Sequence, residues 1–286
     1  MFTENRIRLR ALALPAAILA LAALSGCGDD EGDGGGGDAQ DVQQVEVAAA
    51  GDGTLSGPRQ LEAGLNEITL TNNAKRPSDL QLIYVEGQHS RQEVERVFQG
   101  AGEGTPFPDW FFGGGGVGTT APGSSGSVTQ NLQPGTYYAF NTGAGGGNLP
   151  VIDFKVTGEE GDAELPETDA TVTAREYAFE GEGLKAGENQ VLFENAGAQP
   201  HHIIAVPIIG DASIGDVKSF VKTEKGKPPI AFEQEQSTAV LEGGTSQITT
   251  LDLKKPGRYA LLCFITDRQG GPPHAAKGMV SEVEVG

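Results

Sequence analysis

The residues best suited to chemistry lie in the second half of the chain. Cys263, His274 and Met279 follow one another at the spacing C-x10-H-x4-M, and two adjacent histidines, His201 and His202, lie upstream of them. A thiolate, two imidazoles and a weakly bound thioether are the donor set of a blue-copper electron-transfer centre. These residue types therefore predict a site for one copper ion.

Nearly all the soft donors of the chain belong to this group. The chain has two Met, two Cys and four His, of which Met1, Cys27 and His89 lie elsewhere. Considered alone, Cys263 is also consistent with a small buried apolar residue, and Met279 with a residue that packs in the core. An unpaired thiol in an exported protein is open to oxidation unless it is buried or metal-bound. The joint pattern therefore favours a metal site.

Composition restricts both the fold and the function. There are 43 Gly in 286 residues, which favours turns and strands over long helices. The 39 Asp and Glu exceed the 20 Lys and Arg, for a net charge of −19. Such a chain offers no basic surface for phosphate groups, so nucleic-acid binding is excluded.

An internal repeat organises most of the chain. Residues 61–68 align with residues 184–191 at an offset of 123, and the PGTY of 134–137 aligns with the PGRY of 256–259 at an offset of 122. Two copies of about 115 residues indicate tandem domains rather than a solenoid, and each is long enough for one two-sheet core.

Each copy has the period of short strands bounded by Gly, Pro and Asn turns, which is typical of a β-sandwich. Residues 90–98 and 213–221 predict one short helix in each copy. We therefore expect an all-β protein of two tandem Greek-key β-sandwiches. The predicted domains span residues 44–158 and 169–286, and residues 159–168 form the linker.

Two segments around the donors form a wider pattern. Residues 195–201 (NAGAQPH) place a histidine after an Asn-containing turn, and residues 256–263 (PGRYALLC) place the cysteine after a P-G-x-Y strand. His274 and Met279 complete the later segment. This pattern resembles the cupredoxins, the family of plastocyanin and azurin, over the whole second copy and, as a fold, over the first.

The resemblance implies a role for each donor. It makes His201, Cys263 and His274 the equatorial ligands of one copper ion and Met279 the axial ligand. Two features depart from the family. Ten residues separate Cys263 from His274, which is more than in the short loops of the small electron carriers, and His202 lies where the family commonly has an Asn. His202 is therefore kept as an alternative ligand to His201.

The first copy lacks the donors. At the equivalent positions it has Ser78 and Asp79 in place of the histidines and Asn141 in place of the cysteine, and no Met or His occurs in residues 141–150. We therefore interpret it as a degenerate cupredoxin-like domain without a metal.

The N-terminal segment is expected to be an export signal. Three arginines precede an apolar stretch at 11–23, and the sequence LSGC at 24–27 resembles a bacterial lipoprotein signal. Residues 1–26 would be removed, Cys27 would be acylated, and residues 27–43 would form a flexible Gly- and Asp-rich tether. An ordinary secretory signal with a chance Cys is the alternative. Cleavage removes one Glu and three Arg, a net +2, which leaves −21.

These observations predict an exported copper protein, anchored to the membrane through Cys27, that transfers electrons to or from a redox partner protein. A copper-delivery protein and a metal-free interaction module are the alternatives. Copper oxidases and nitrite reductases resemble one another in having a histidine beside the copper cysteine, whereas Leu262 and Phe264 flank Cys263 here. No G-x-S-x-G, H-E-x-x-H or P-loop motif occurs, so we expect no enzymatic activity.

Overall fold

Alternation of apolar and polar side chains determines the strands. In β1 (Gln43–Ala49), for example, Val45, Val47 and Ala49 are buried while Glu46 is exposed. The computed structural model describes residues 42–100, 104–144, 149–161 and 163–286. The predicted signal at 1–26, the lipidation site Cys27 and nearly all of the predicted tether lie outside the described residues.

The first half of the described chain forms one β-sandwich with a short helix. After β1, its elements are β2 (Leu55–Ser56), β3 (Gln60–Glu62), β4 (Gly64–Asn72), β5 (Ser78–Val85), α1 (Arg91–Gly100), β6 (Phe111–Thr120), β7 (Ser125–Leu132), β8 (Gly135–Phe140) and β9 (Val151–Thr157).

The second half repeats this arrangement. Its elements are β10 (Ala170–Arg175), β11 (Ala178–Glu182), β12 (Gly187–Asn195), β13 (Ile204–Pro207), α2 (Ile214–Thr223), β14 (Gln236–Ser237), β15 (Ser246–Leu253), β16 (Gly257–Leu262) and β17 (Val280–Val285). Two single-turn 3-10 helices, Phe232–Gln234 and His274–Lys277, interrupt the connections.

One sheet runs through both sandwiches. Its strand order is β11-β10-β12-β15-β7-β4-β1-β2, and the antiparallel pairing of β15 with β7 joins the two halves. A five-stranded sheet, β3-β9-β8-β5-β6, covers the first half, and a four-stranded sheet, β14-β13-β16-β17, covers the second. The prediction of two β-sandwiches with one short helix each is confirmed. The boundaries at 158 and 169 stay predictions, since residues on both sides belong to one compact unit.

The repeat extends to individual hydrogen bonds. The side-chain amide of Asn72 donates to the carbonyl of Arg76 at 2.9 Å, and that of Asn195 donates to the carbonyl of Gln199 at 2.8 Å. These bonds fix the turn that follows β4 and β12. Each copy therefore holds its next segment, where the second copy carries His201, with the same local device.

Both helices begin with the same type of cap. In α2 the Ser213 hydroxyl accepts from the Asp216 amide, and the Asp216 carboxylate accepts from the Ser213 amide. In α1, Ser90 and Glu93 exchange the corresponding bonds. This reciprocal capping explains why two short helices start where the sequence predicts. No described helix is long and apolar enough to cross a membrane.

The two sandwiches meet along a glycine-rich strand. The Gln81 side chain accepts a hydrogen bond from the Val240 amide at 2.6 Å and donates to the Val240 carbonyl at 3.0 Å. Along β6, a Cβ added at Gly118 would lie 2.0 Å from the Ser237 carbonyl oxygen of the second sandwich. Glycines in β6 therefore allow the backbones of the two halves to approach closely.

The interface predicts a strong effect of one methyl group. We expect Gly118→Ala to destabilise the protein by about 1–3 kcal/mol. The added methyl group would clash with backbone atoms of Ser237, which cannot move aside as the end of a flexible side chain could. Gly51→Ala is the matched control, since nothing lies within 4 Å of its Cβ, and it should change stability by no more than about 0.5 kcal/mol. Urea unfolding measures both. Equal effects of the two variants would contradict the close approach.

Candidate metal centre

His201 is held on a short, heavily hydrogen-bonded segment before β13. Its amide donates to the Leu241 carbonyl at 3.0 Å, and its carbonyl accepts from the Leu241 amide at 2.8 Å. A carboxylate oxygen of Glu176 accepts from the amides of Ala198 at 2.6 Å and Gln199 at 2.8 Å. The segment therefore has little freedom, and the imidazole of His201 is fully buried.

The other donors lie on the connection between β16 and β17. Cys263 directly follows β16, and its carbonyl accepts from the Ala275 amide at 2.7 Å. The His274 amide donates to the Ile265 carbonyl at 2.9 Å, and the Met279 amide donates to the His274 carbonyl at 2.9 Å. The backbone itself thus brings the two ends of this ten-residue loop together.

Three donor atoms converge at one point. The Sγ of Cys263 lies 3.7 Å from Nδ1 of His201 and 3.5 Å from Nδ1 of His274, and the two Nδ1 atoms lie 3.0 Å apart. All three residues have no exposed surface. One ion with bonds of about 2.0–2.3 Å to each donor would produce separations of this size. The three side chains therefore form a group able to hold a metal ion.

Neither tautomer of His201 gives all the ring nitrogens of His201 and His274 a hydrogen-bond partner within the described chain. Nε2 of His274 lies 2.9 Å from an Asp267 carboxylate oxygen, which places the proton on Nε2 and leaves Nδ1 as a bare acceptor. If His201 donates from Nδ1, its buried Nε2 has no hydrogen-bond partner among the described residues. If it carries the proton on Nε2 instead, two bare lone pairs face each other at 3.0 Å. A cation bound to both Nδ1 atoms removes this conflict.

Burial keeps the donors neutral before a metal binds. Burial lowers the pKa of His201 to about 4, and the nearby His274 acts in the same direction. Burial also lowers the pKa of His274, which hydrogen bonding to Asp267 opposes. The pKa of the Cys263 thiol is raised to about 12 by burial, against the opposing effect of the His202 and Ile265 amides. Metal binding must therefore displace the thiol proton.

A small polar cluster orients His274 from behind. The Asp267 carboxylate also accepts from the Tyr177 hydroxyl at 2.9 Å and pairs with the Lys277 ammonium. Burial favours the neutral acid, but hydrogen bonds from Lys277, Tyr177 and His274 outweigh it and hold the pKa of Asp267 below its ordinary value. An ionised Asp267 fixes the tautomer of His274, as carboxylates behind metal-bound histidines commonly do.

His202 lies outside the donor group. Its Nε2 accepts a hydrogen bond from the Phe264 amide at 2.9 Å, so this nitrogen is already engaged. Burial, with smaller effects of His274 and His201, lowers its pKa to about 4, which suits a neutral acceptor. Its ring lines a cavity of about 330 Å³ between the two sandwiches. His202 thus braces the residue after Cys263 from the far side of the strand.

Met279 is fully buried in the same apolar cluster as Cys263. It follows Gly278, whose φ of 107° lies in the left-handed region and turns the chain from the 3-10 helix into β17. Both sulfur-containing side chains are therefore packed among apolar residues and have no exposed surface. The axial role implied for Met279 stays a prediction.

Hydrogen bonds fill the equivalent position in the first sandwich. The Asn141 side-chain amide donates to the Ser78 hydroxyl at 3.2 Å and to the Gly53 carbonyl at 2.9 Å. The Asp79 carboxylate accepts from the Thr142 amide at 2.6 Å, which matches the contact of His202 with the Phe264 amide in the second copy. The first sandwich keeps the brace and replaces the donors with mutually satisfied polar groups.

Sequence reasoning missed the supporting residues. Three of these residues, Glu176, Tyr177 and Asp267, are of types common on protein surfaces, and none of them belongs to a recognisable sequence motif. Only the short distance between Asp267 and His274 along the chain was a signal, since a carboxylate seven residues before a ligand histidine lies on the same loop. The pairing of Glu176 with the His201 segment depends on two loops that are distant in sequence.

The chain matches solved structures but no protein-family model and no curated protein. A reduced auracyanin from Roseiflexus castenholzii is 22% identical, covering 41% of this chain and 94% of that chain, with a TM-score of 0.27. An azurin from Methylomonas sp. strain J is 15% identical over 41% of this chain and 95% of that chain, with a TM-score of 0.26. A copper nitrite reductase from Nitrosomonas europaea is 15% identical over 86% and 94%, with a TM-score of 0.23. At such TM-scores these matches add nothing to the donor geometry, which alone carries the metal-site interpretation.

The burial of Cys263 predicts an unreactive thiol. In metal-free Cys27→Ser protein at about pH 8, the single remaining thiol should react with a disulfide reagent at least about a hundredfold more slowly than in denaturant, because it is buried and protonated. Absorbance of the released thiolate measures both rates. Comparable rates in the folded and denatured protein would show that Cys263 is accessible.

Proposed function

We propose that the second sandwich binds one copper ion in a type 1 (blue) site and that the protein transfers single electrons. His201, Cys263 and His274 would hold the ion, with Met279 as a weak axial donor. The observation that carries the proposal is the convergence of two imidazole nitrogens and one sulfur, 3.0–3.7 Å apart, in a fully buried position. When bound, copper supplies a one-electron redox centre.

The identity of the donors favours copper over other ions. A trigonal set of two imidazoles and one thiolate, with a thioether nearby, is the set that distinguishes blue copper. Structural zinc sites commonly use four strong ligands from Cys and His, and this site has three. Calcium and magnesium prefer oxygen ligands, which the donor group does not contain.

Rigid support favours electron transfer over copper delivery. Both ligand segments are fixed by backbone hydrogen bonds, Asp267 holds the His274 ring, and Glu176 accepts from two backbone amides just before His201. A rigid site keeps the donors in the same positions in both oxidation states of the metal. Electron transfer then requires little structural rearrangement. Release of copper to another protein would need the buried donors to become exposed, and these hydrogen bonds oppose it.

The proposed role is that of a carrier rather than an enzyme. The residues beside Cys263 are Leu262 and Phe264, so no histidine continues from the thiolate toward a second copper ion. Within the described residues, His201, Cys263 and His274 are the one group of His, Cys, Asp and Glu side chains that could hold a metal ion. Substrate chemistry at a second centre has no support in this geometry.

The proposed location is the outer face of the cytoplasmic membrane. The sequence LSGC at 24–27 supports a lipid anchor at Cys27, and residues 28–43 supply a polar tether. An excess of 21 negative charges in the processed chain would attract a basic redox partner. Metabolic labelling with a fatty acid, lost in Cys27→Ser, tests the anchor.

Copper binding has a spectroscopic test. One equivalent of Cu(II) added to the protein should give an intense visible absorption band from thiolate-to-copper charge transfer and a narrow hyperfine splitting in electron paramagnetic resonance. The band should disappear on reduction and return on reoxidation without loss of metal. Cys263→Ser and His201→Ala should each abolish the band, because each removes one of the three converging donors.

His202→Gln is the matched control for His201→Ala. It changes the adjacent histidine but can preserve an acceptor for the Phe264 amide, so the band should remain. Loss of the band in His202→Gln together with its retention in His201→Ala would reverse the assignment. A colourless wild-type protein, or copper that leaves on each reduction, would contradict the electron-transfer role.

A further inference from the structure

The ten-residue loop between Cys263 and His274 lies against the first sandwich. The Phe107 amide donates to the Arg268 carbonyl at 2.8 Å, and the Gly271 amide donates to the Gly104 carbonyl at 3.1 Å. A Cβ added at Gly270 would lie 2.2 Å from the Gly104 carbonyl oxygen. The backbones of the ligand loop and the first sandwich are therefore in direct, close contact.

Arg268 makes the densest set of contacts across this boundary. Its guanidinium donates to the carbonyls of Pro108 at 3.0 Å and Phe111 at 3.1 Å, both in the first sandwich. It also pairs with the Glu242 carboxylate at 3.0 Å and lies over the Phe112 ring, 4.6 Å from its centroid. The arginine fork thus joins fixed backbone acceptors, a carboxylate and an aromatic face, a combination that Lys does not reproduce.

The same residue also touches the other ligand segment. The Arg268 amide donates to the side-chain oxygen of Gln199 at 2.8 Å, two residues before His201. The carboxylate of the preceding residue, Asp267, lies 2.9 Å from Nε2 of His274. Displacing residue 268 would therefore move the support of both histidines.

We propose that Arg268 is a positioning residue through which the first sandwich, which has Ser78 and Asn141 at the positions of the donors, holds the ligand loop of the second in its metal-binding conformation. The inference builds on the proposed copper site and gives the first sandwich a function: it supplies the outer wall against which a long loop is fixed. Without the first sandwich, contacts within the loop alone would have to offset the conformational entropy lost when its ten residues become ordered.

Hydrogen exchange of the metal-free, full-length protein tests the positioning without copper. In Arg268→Ala, amides of residues 264–275 should exchange about tenfold faster or more, because charge-assisted hydrogen bonds that fix the loop are lost. Arg268→Lys should give a smaller change, since it keeps the charge but loses the planar fork. Exchange in β10, β12 and β15 should stay unchanged.

Arg258→Ala is the matched control. Arg258 also pairs with a carboxylate, Glu282 at 2.7 Å, and donates to a backbone carbonyl, Ala212 at 2.9 Å, but it does not touch the ligand loop. If Arg258→Ala and Arg268→Ala have the same effect on residues 264–275, the proposal is wrong. Faster exchange throughout the second sandwich in Arg268→Ala would also overturn it, because it would show a general loss of stability.

The copper-loaded protein supplies a second readout. Arg268→Ala should shift the reduction potential and the ratio of the visible bands, with Arg268→Lys between it and the wild type and Arg258→Ala unchanged. An unchanged potential and spectrum in Arg268→Ala would refute a role in setting the site. If the wild-type chain binds no copper, the proposed function fails, and hydrogen exchange still decides whether Arg268 positions the loop.

Discussion

Three donor atoms face one another in the interior of the second sandwich, where no water reaches them. Burying polar atoms without partners is costly, and His201 has no tautomer that avoids it: either its Nε2 has no hydrogen-bond partner among the described residues, or its Nδ1 faces the bare Nδ1 of His274 at 3.0 Å. The surrounding structure is built around this constraint. Glu176 fixes one ligand segment, Asp267 fixes the tautomer of His274, and Cys263 and Met279 are buried in one apolar cluster.

The first sandwich has the same fold but, among the described residues, no converging metal donors at the equivalent position. Asn141 and Ser78 hydrogen-bond to each other at the position of the donors, so every polar atom there has a partner. The contact of Asp79 with the Thr142 amide retains the brace that His202 makes in the second copy. The fold thus accommodates short polar side chains at the donor positions, because these side chains pair locally. The sandwich contributes to the site through contact with the ligand loop and through the sheet that β7 and β15 share.

Much of this arrangement could be predicted from the sequence because the signals are local or repeated. Strand periodicity and the offset of 123 predicted the two sandwiches, and the pattern around His201, Cys263 and His274 predicted three side chains that the structure brings together. The continuous eight-stranded sheet was not predictable, since the pairing of β7 with β15 involves two strands that each have a satisfied partner within their own sandwich. The roles of Glu176 and Arg268 were also hidden. Both depend on contacts between loops far apart in the chain, for which residue type alone has no signal.

X-ray absorption at the copper edge reports the atoms bound to the metal. For protein loaded with one equivalent of copper, we expect one short metal–sulfur distance and two nitrogen scatterers with the outer-shell pattern of imidazole. The sulfur contribution should vanish in Cys263→Ser. A first shell of oxygen and nitrogen alone in the wild-type protein would rule out a copper site at His201, Cys263 and His274, since Cys263 supplies a sulfur donor.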